Sequence, residues 1–322
     1  MISRRRLIGF VATGLVLASR SLGGNAQNDK MFRVGVLLPG PQNPFKEALL
    51  IPLRDLGYVE GKNLIFEYRN VPPQDLPAAA RELVQMNVDV IWAHASSGVR
   101  AAVDATKEVP IIAVDLESDP LASGYVSSLG RPGGNVTGFF LDLPGFSAKR
   151  LEVLKEAVPG LSSATVLWDP TLDRAPLRSI SAAARNLKLR LVIADVHSAQ
   201  DIESAFQGVT QKSHAIVMMQ SPTLNSYGMR IAKLGVKQRV PVMALYAVFV
   251  AHGALLSYGP SAIDMTGQSA SYIDRVLKGA KPGDLPIQRP VKFDLVVNVK
   301  TAKALGITIG PSILQRADEL IR

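Results

Sequence analysis

The side chains with scope for chemistry in this sequence gather in short segments, each following an apolar run. Ser96 and Ser97 lie in HASSG (94–98). Their hydroxyls, with the free N–H groups at the start of a following helix, form a seat for a carboxylate, and either serine can cap that helix. Asp115, Glu117 and Asp119 crowd DLESDP (115–120), where one carboxylate can accept a solute's ammonium. Phe45, Trp168, Tyr246 and Tyr258 stand at or near the ends of apolar runs, placed to stack on a flat ligand. Asn43 in PGPQNPF (39–45) and Ser221 in MQSPTLN (219–225) complete the candidate ligand-binding set. Each has an ordinary alternative: a serine as helix cap, a carboxylate in solvent, an aromatic ring in the core.

None of these groups forms a nucleophile with its base. The sequence has no GxSxG elbow, no GxxxxGKS/T phosphate loop, no GxGxxG fingerprint and no HExxH pair. Its four histidines, His94, His197, His214 and His252, are far apart and lack metal-ligand spacing. The absence of cysteine removes thiolate ligands, thiol nucleophiles, disulfides and a lipid-anchored thiol. Binding without turnover is therefore expected, with no catalytic residue, metal or cofactor.

The candidate segments are positioned by a repeated strand and helix rhythm. FRVGVLL (32–38), NLIFEYR (63–69), VDVIWAH (88–94) and PIIAVD (110–115) read as buried strands, and Leu76, Ala80, Leu83 and Val84 mark a helix between the second and third. This βαβα order predicts a parallel sheet covered on both faces. After VTGFFL (136–141) the rhythm restarts. A helix with Leu151, Leu154 and Val158 precedes strands at 165–169, 190–196, 214–219, 241–245 and 255–259, and a helix over 263–278 precedes a last strand at 291–298. Pro52 is expected to kink the first helix or shift its start. The turn Arg131–Asn135 reads as the approach to the first crossing between lobes, structural in role. The expected architecture is α/β, with two doubly wound parallel-sheet lobes joined by hinge crossings. One lobe takes residues 27–141 and about 260–288, the other 142–259 and about 289–322. Ligands of such sheets bind beyond the carboxyl ends of the strands, where every candidate segment lies.

Residues 1–26 are expected to be a cleaved export peptide: a basic start, an apolar run from Leu7 to Leu17, and small residues up to Ala26. Ser3-Arg4-Arg5-Arg6-Leu7-Ile8 has the form of a twin-arginine signal. Arg4, Arg5, Arg6 and Arg20 would leave with it, taking the formal charge from +9 to +5. The remaining lysines and arginines are scattered, so no nucleic-acid partner is expected. A soluble periplasmic monomer fits these features.

Longer strings carry a resemblance. GYVEGKNLIFEYR (57–69), SDPLASGYVSSLGRPGGNVTGF (118–139), KRLEVLKEAVPG (149–160), LLSYGPS (255–261) and the block from Tyr272 to Ile321 resemble the ABC-transporter substrate-binding proteins, the family that includes tryptophan/tyrosine-type uptake receptors. The resemblance implies a type I periplasmic-binding-protein fold that closes on one small solute; the serines, Asp119 and the rings of Phe45, Tyr246 and Tyr258 together suggest an amino acid or related carboxylate. The resemblance also implies delivery of that solute to a membrane permease with a separate ATPase. A periplasmic sensing module for a signalling partner is the alternative. The likeness breaks at Ala95-Ser96-Ser97, where relatives often carry Gly-Thr-Pro, and at Leu245-Tyr246-Ala247-Val248, where relatives are more polar.

Overall fold

The computed structural model describes residues 30–40, 45–172, 174–209 and 214–322; Asn43 and the export-signal residues lie outside them. The first sheet is built from β1 (Phe32–Pro39), β2 (Leu64–Val71), β3 (Val90–His94), β4 (Ile111–Asp115) and β5 (Val136–Phe140), all parallel, in the order β2-β1-β3-β4-β5. Helices α1 (Lys46–Asp55), α2 (Leu76–Gln85) and α3 (Ala95–Ala105) make the crossovers. Alternation along β1 divides the core. Val34, Val36 and Leu38 join Trp92 and Phe139 on one face, while Leu37 joins Ile91, Ala93 and Val99 on the other. Strands β4 and β5 are buried throughout, which is why they read as continuous apolar runs.

The second sheet follows α4 (Leu143–Ala157). Its elements in chain order are β6 (Ser163–Trp168), α5 (Ala175–Asn186), β7 (Arg190–Asp195), α6 (Ala199–Gln207), β8 (His214–Met218), α7 (Pro222–Ser226), α8 (Gly228–Gln238), β9 (Val242–Ala244), α9 (Ala247–Ala251) and β10 (Leu256–Pro260). The chain then forms α10 (Ala262–Leu277), which packs on α1 and against β3, β4 and β5 of the first sheet. It returns as β11 (Phe293–Asn298), α11 (Val299–Leu305), α12 (Pro311–Arg316) and β12 (Glu319–Ile321), completing the order β12-β11-β10-β9-β8-β6-β7.

The sheets are parallel as expected except at β11, which runs antiparallel to β10. The chain leaves β10 and re-enters β11 at the same edge, where Ser261 N–H donates to Lys292 O at 3.0 Å, so the returning strand must run back. A short last strand, β12, was not expected and pairs parallel with β11. Helix α1 begins at Lys46 and runs through Pro52, so the proline does not shift its start. Gly267 of α10 lies opposite Ala48 and Pro52 of α1.

The chain passes between the two sheets three times: between β5 and β6, between β10 and α10, and between α10 and β11. The first and third crossings are tied to one another: Arg289 pairs with Asp142 at 3.0 Å. The segment leading into the third crossing lies along β5, with Gln288 N–H donating to Gly138 O at 2.8 Å and Phe140 N–H to Gln288 O at 3.0 Å. Gly138, at φ 129, is required by the neighbouring strand β4, since a Cβ there would stand 2.1 Å from Ala113 O.

Candidate functional site

Segments that follow β4, β5, β6 and β8 line one cleft of about 590 Å³, together with the inward face of α4. The first-lobe wall is acidic. Asp115 ends β4 fully buried; its Oδ1 accepts the N–H groups of Glu117 (2.8 Å) and Ser118 (3.0 Å), a turn that sets Glu117 on the cleft, while its Oδ2 has no partner. Glu117, 8% exposed, accepts the hydroxyl and N–H of Ser96 and, from the second lobe, Asn225 Nδ2 at 3.0 Å. Burial pushes both carboxyls up; the neighbouring Asp115 charge raises Glu117 further, and backbone hydrogen bonds and Arg100 hold Asp115 back.

The second-lobe wall presents donors. Phe146, Arg150, Leu154 and Ala157 form the buried stripe of α4, which carries the Arg150 guanidinium inward to 1% exposure. Its Nη2 donates to Met218 O at 2.9 Å and Met243 O at 3.4 Å, and its Cζ lies 5.7 Å from the centre of the Phe146 ring. The Nε has no partner, and among the described residues no carboxylate forms an ion pair with this group. Burial lowers its pKa to about 10, so it stays charged at neutral pH. Trp168, at the end of β6 and 1% exposed, has an unpartnered Nε1, and Gln220, after β8 and 6% exposed, has neither amide atom bonded. All three side chains line the same cleft: β6 and β8 pair side by side up to Leu167 and Met218, and Arg150 bonds to Met218 O. An orphaned buried polar group costs about 1–3 kcal/mol, so a cleft holding several is built for something that bonds to them.

The sequence candidates are distributed unevenly around this cleft. Asp119 and Trp168 line it, although Asp119 is exposed and its Oδ1 already accepts the N–H groups of Leu121 (2.8 Å) and Ala122 (3.2 Å). Asp115 and Ser96 stand behind Glu117 rather than on the cleft. The capping role expected for Ser96 or Ser97 is corrected: α3 starts at Ala95, with φ 61, and His94 takes the cap position. Ser96 spends its hydroxyl and N–H on the chain's own Glu117, so an internal carboxylate occupies the place expected for a ligand's. Ser97 is half-buried in the same turn and does not line the cleft.

Ser221 is fully buried and caps α7 by accepting Leu224 N–H at 2.9 Å. Tyr246, at the cap of α9, stands off the cleft; its phenol is pushed up by burial first and then by the charges of Glu117 and Asp115. Tyr258 stacks on Phe146 and Phe293 at 6.0 and 5.5 Å and lines a smaller neighbouring pocket at the crossings. Phe45 stacks on His94 at 4.7 Å, and burial lowers that imidazole to about 4, leaving it neutral. His214 is a core residue held between Ser163 and Thr165 at 2.8 Å each. Sequence reasoning missed Arg150, Gln220 and Asn225. Arg150 had a signal: a charge on the inward stripe of an otherwise apolar helix face.

The sequence model of the ABC transporter substrate binding protein family matches residues 44–321. A tyrosine-binding protein of Clostridioides difficile (strain R20291) is 24% identical over 330 residues, covering 95% of this chain and 94% of that protein. A conserved domain protein of Vibrio cholerae superposes with a TM-score of 0.79 at 30% identity, over 90% of this chain and 100% of that one. The ABC domain of Streptococcus pneumoniae in complex with L-Trp superposes with a TM-score of 0.77 at 25% identity, over 91% of this chain and 100% of that one. The fold shared with these structures is the type I periplasmic-binding-protein fold.

Proposed function

Since the chain belongs to the ABC transporter substrate binding protein family, we propose that it is the periplasmic receptor of an importer, closing its two lobes on an amino acid or related carboxylate. It then delivers the solute to a membrane permease with a separate ATPase, acts as a monomer, and loses an export peptide near Ala26. One lobe comprises residues 27–141 and about 260–288, the other 142–259 and about 289–322; the packing of α10 on the first sheet supports that division. The observation that carries the ligand class is the opposition of charge across one cleft. Buried carboxyls stand on the first-lobe side and a guanidinium without a carboxylate partner on the second. A zwitterion satisfies both walls, whereas a neutral sugar leaves the guanidinium uncompensated. The tyrosine-binding relative and the L-Trp complex agree with this class. Closure is a shift of population toward a state whose contacts span both lobes, as the bond from Asn225 to Glu117 does. Calorimetry with the twenty amino acids and a set of neutral sugars tests it. Binding of amino acids alone is expected, and tight binding of a sugar with none by any amino acid overturns it.

A further inference from the structure

We infer that the solute's carboxylate is held by the second lobe, in a seat made by Arg150, Trp168 Nε1 and the Gln220 amide, with its ammonium directed to Glu117 of the first lobe. This polarity rests on the reading of the cleft as an amino-acid site and deepens it. Three N–H groups point to an anion: Arg150 Nε, Trp168 Nε1 and Gln220 Nε2 are all buried, all lack a partner, and all belong to side chains lining the cleft. They share one cleft, where β6 and β8 are adjacent strands and Arg150 is anchored to the carbonyl that ends β8.

The anchoring fixes the guanidinium's direction. Nη2 is spent on Met218 and Met243, Phe146 lies against the group at 5.7 Å, and the Nε edge remains for a ligand oxygen. The indole N–H on the same cleft only donates, which favours an acceptor-rich group. On the opposite wall the α3 N–H and the hydroxyl that suggested an anion site are already filled by Glu117, which leaves no carboxylate seat at Ser96. Glu117, with both oxygens held by neutral donors, is instead oriented to receive a cation. The seat therefore takes a carboxylate, and the solute spans the cleft with its charges pointing to different lobes.

The test uses three probes with one ring: L-tyrosine, 3-(4-hydroxyphenyl)propanoate, which lacks the ammonium, and tyramine, which lacks the carboxylate. Trp168→Phe and Gln220→Met remove donors while keeping bulk, and neither group has a protein partner to lose. Each variant is expected to weaken calorimetric binding of tyrosine and the propanoate by about ten- to a hundredfold, the usual range for a lost hydrogen bond to a charged group, and that of tyramine by a clearly smaller factor. Equal losses for tyramine, or no loss for the two carboxylates, overturn the seat. If the wild type binds the propanoate but no amino acid, the seat stands and the amino-acid reading falls. If it binds tyramine alone, the seat falls. If it binds none of the three and no other amino acid, both fall.

Discussion

Replacing Arg150 by Met separates binding from stability, because the two effects have different sizes. The guanidinium is buried, charged, and without a carboxylate partner among the described residues. Withdrawing such an ion from water costs several kcal/mol. The compensation in the ligand-free protein is one good hydrogen bond to Met218 O, a long one to Met243 O and the Phe146 ring. Hydrogen bonds from a charged donor contribute about 1.5–3 kcal/mol and a desolvated cation–π contact about 2 kcal/mol, so the present arrangement is close to balanced. Methionine removes the desolvation cost together with those contacts, and denaturant unfolding of the ligand-free variant should stay within about 2 kcal/mol of wild type. Binding should respond far more. Leaving a ligand carboxylate buried opposite a thioether costs about 3–5 kcal/mol, a loss of two to three and a half orders of magnitude in affinity. Calorimetry and urea unfolding on the same preparation give both numbers. A variant that loses more than about 4 kcal/mol of stability yet binds as wild type would show Arg150 to be a structural pillar and refute the reasoning.

Asn225→Ala removes a hydrogen bond that joins the lobes, so the open-to-closed ratio should rise about ten- to a hundredfold, read as a larger radius of gyration by small-angle scattering; an unchanged curve contradicts the bridge. Burial keeps protons on Asp115 and Glu117 above the usual carboxylate range, with Arg100, Tyr125 and Tyr246 as the other titratable neighbours. The folded protein then binds more protons than the unfolded chain from about pH 4 up to the raised values, and ligand-free stability should fall as pH rises through that window. Asp115→Asn should flatten the fall in denaturation midpoints, and an identical slope refutes the assignment. Ammonium binding needs ionised carboxyls, so affinity should rise with pH across the same window, with proton release visible as a buffer-dependent heat. Arg4→Lys with Arg5→Lys should trap precursor in the cytoplasm, whereas unchanged export points away from the twin-arginine route.

The fold was legible because parallel strands buried on both faces, such as β4, β5, β6 and β8, write themselves as uninterrupted apolar runs, and β1 to β10 fall on the runs expected of them. The reversal at β11 was not legible, since a run of apolar residues has no direction and only the excursion of α10 to the other lobe sets it. The site was half legible. The rule that ligands lie beyond strand ends led to Asp119, Trp168 and the turn carrying Glu117, all on the cleft. It also led to Ser221 and Ser96, which stand at strand ends but are spent on a helix cap and an internal carboxylate. Arg150 escaped because it comes from a helix face and not from a strand end. Asn225 escaped because its partner, Glu117, is 108 residues away in sequence.

Mass spectrometry of the small molecules released when protein purified from the periplasm is denatured tests most directly whether the cleft is a seat for an amino acid or related carboxylate. A stoichiometric solute carrying a carboxylate, with an amine at its other pole, is the predicted result. A stoichiometric neutral solute with no anionic group, retained equally by the wild type and by Arg150→Met, would contradict it.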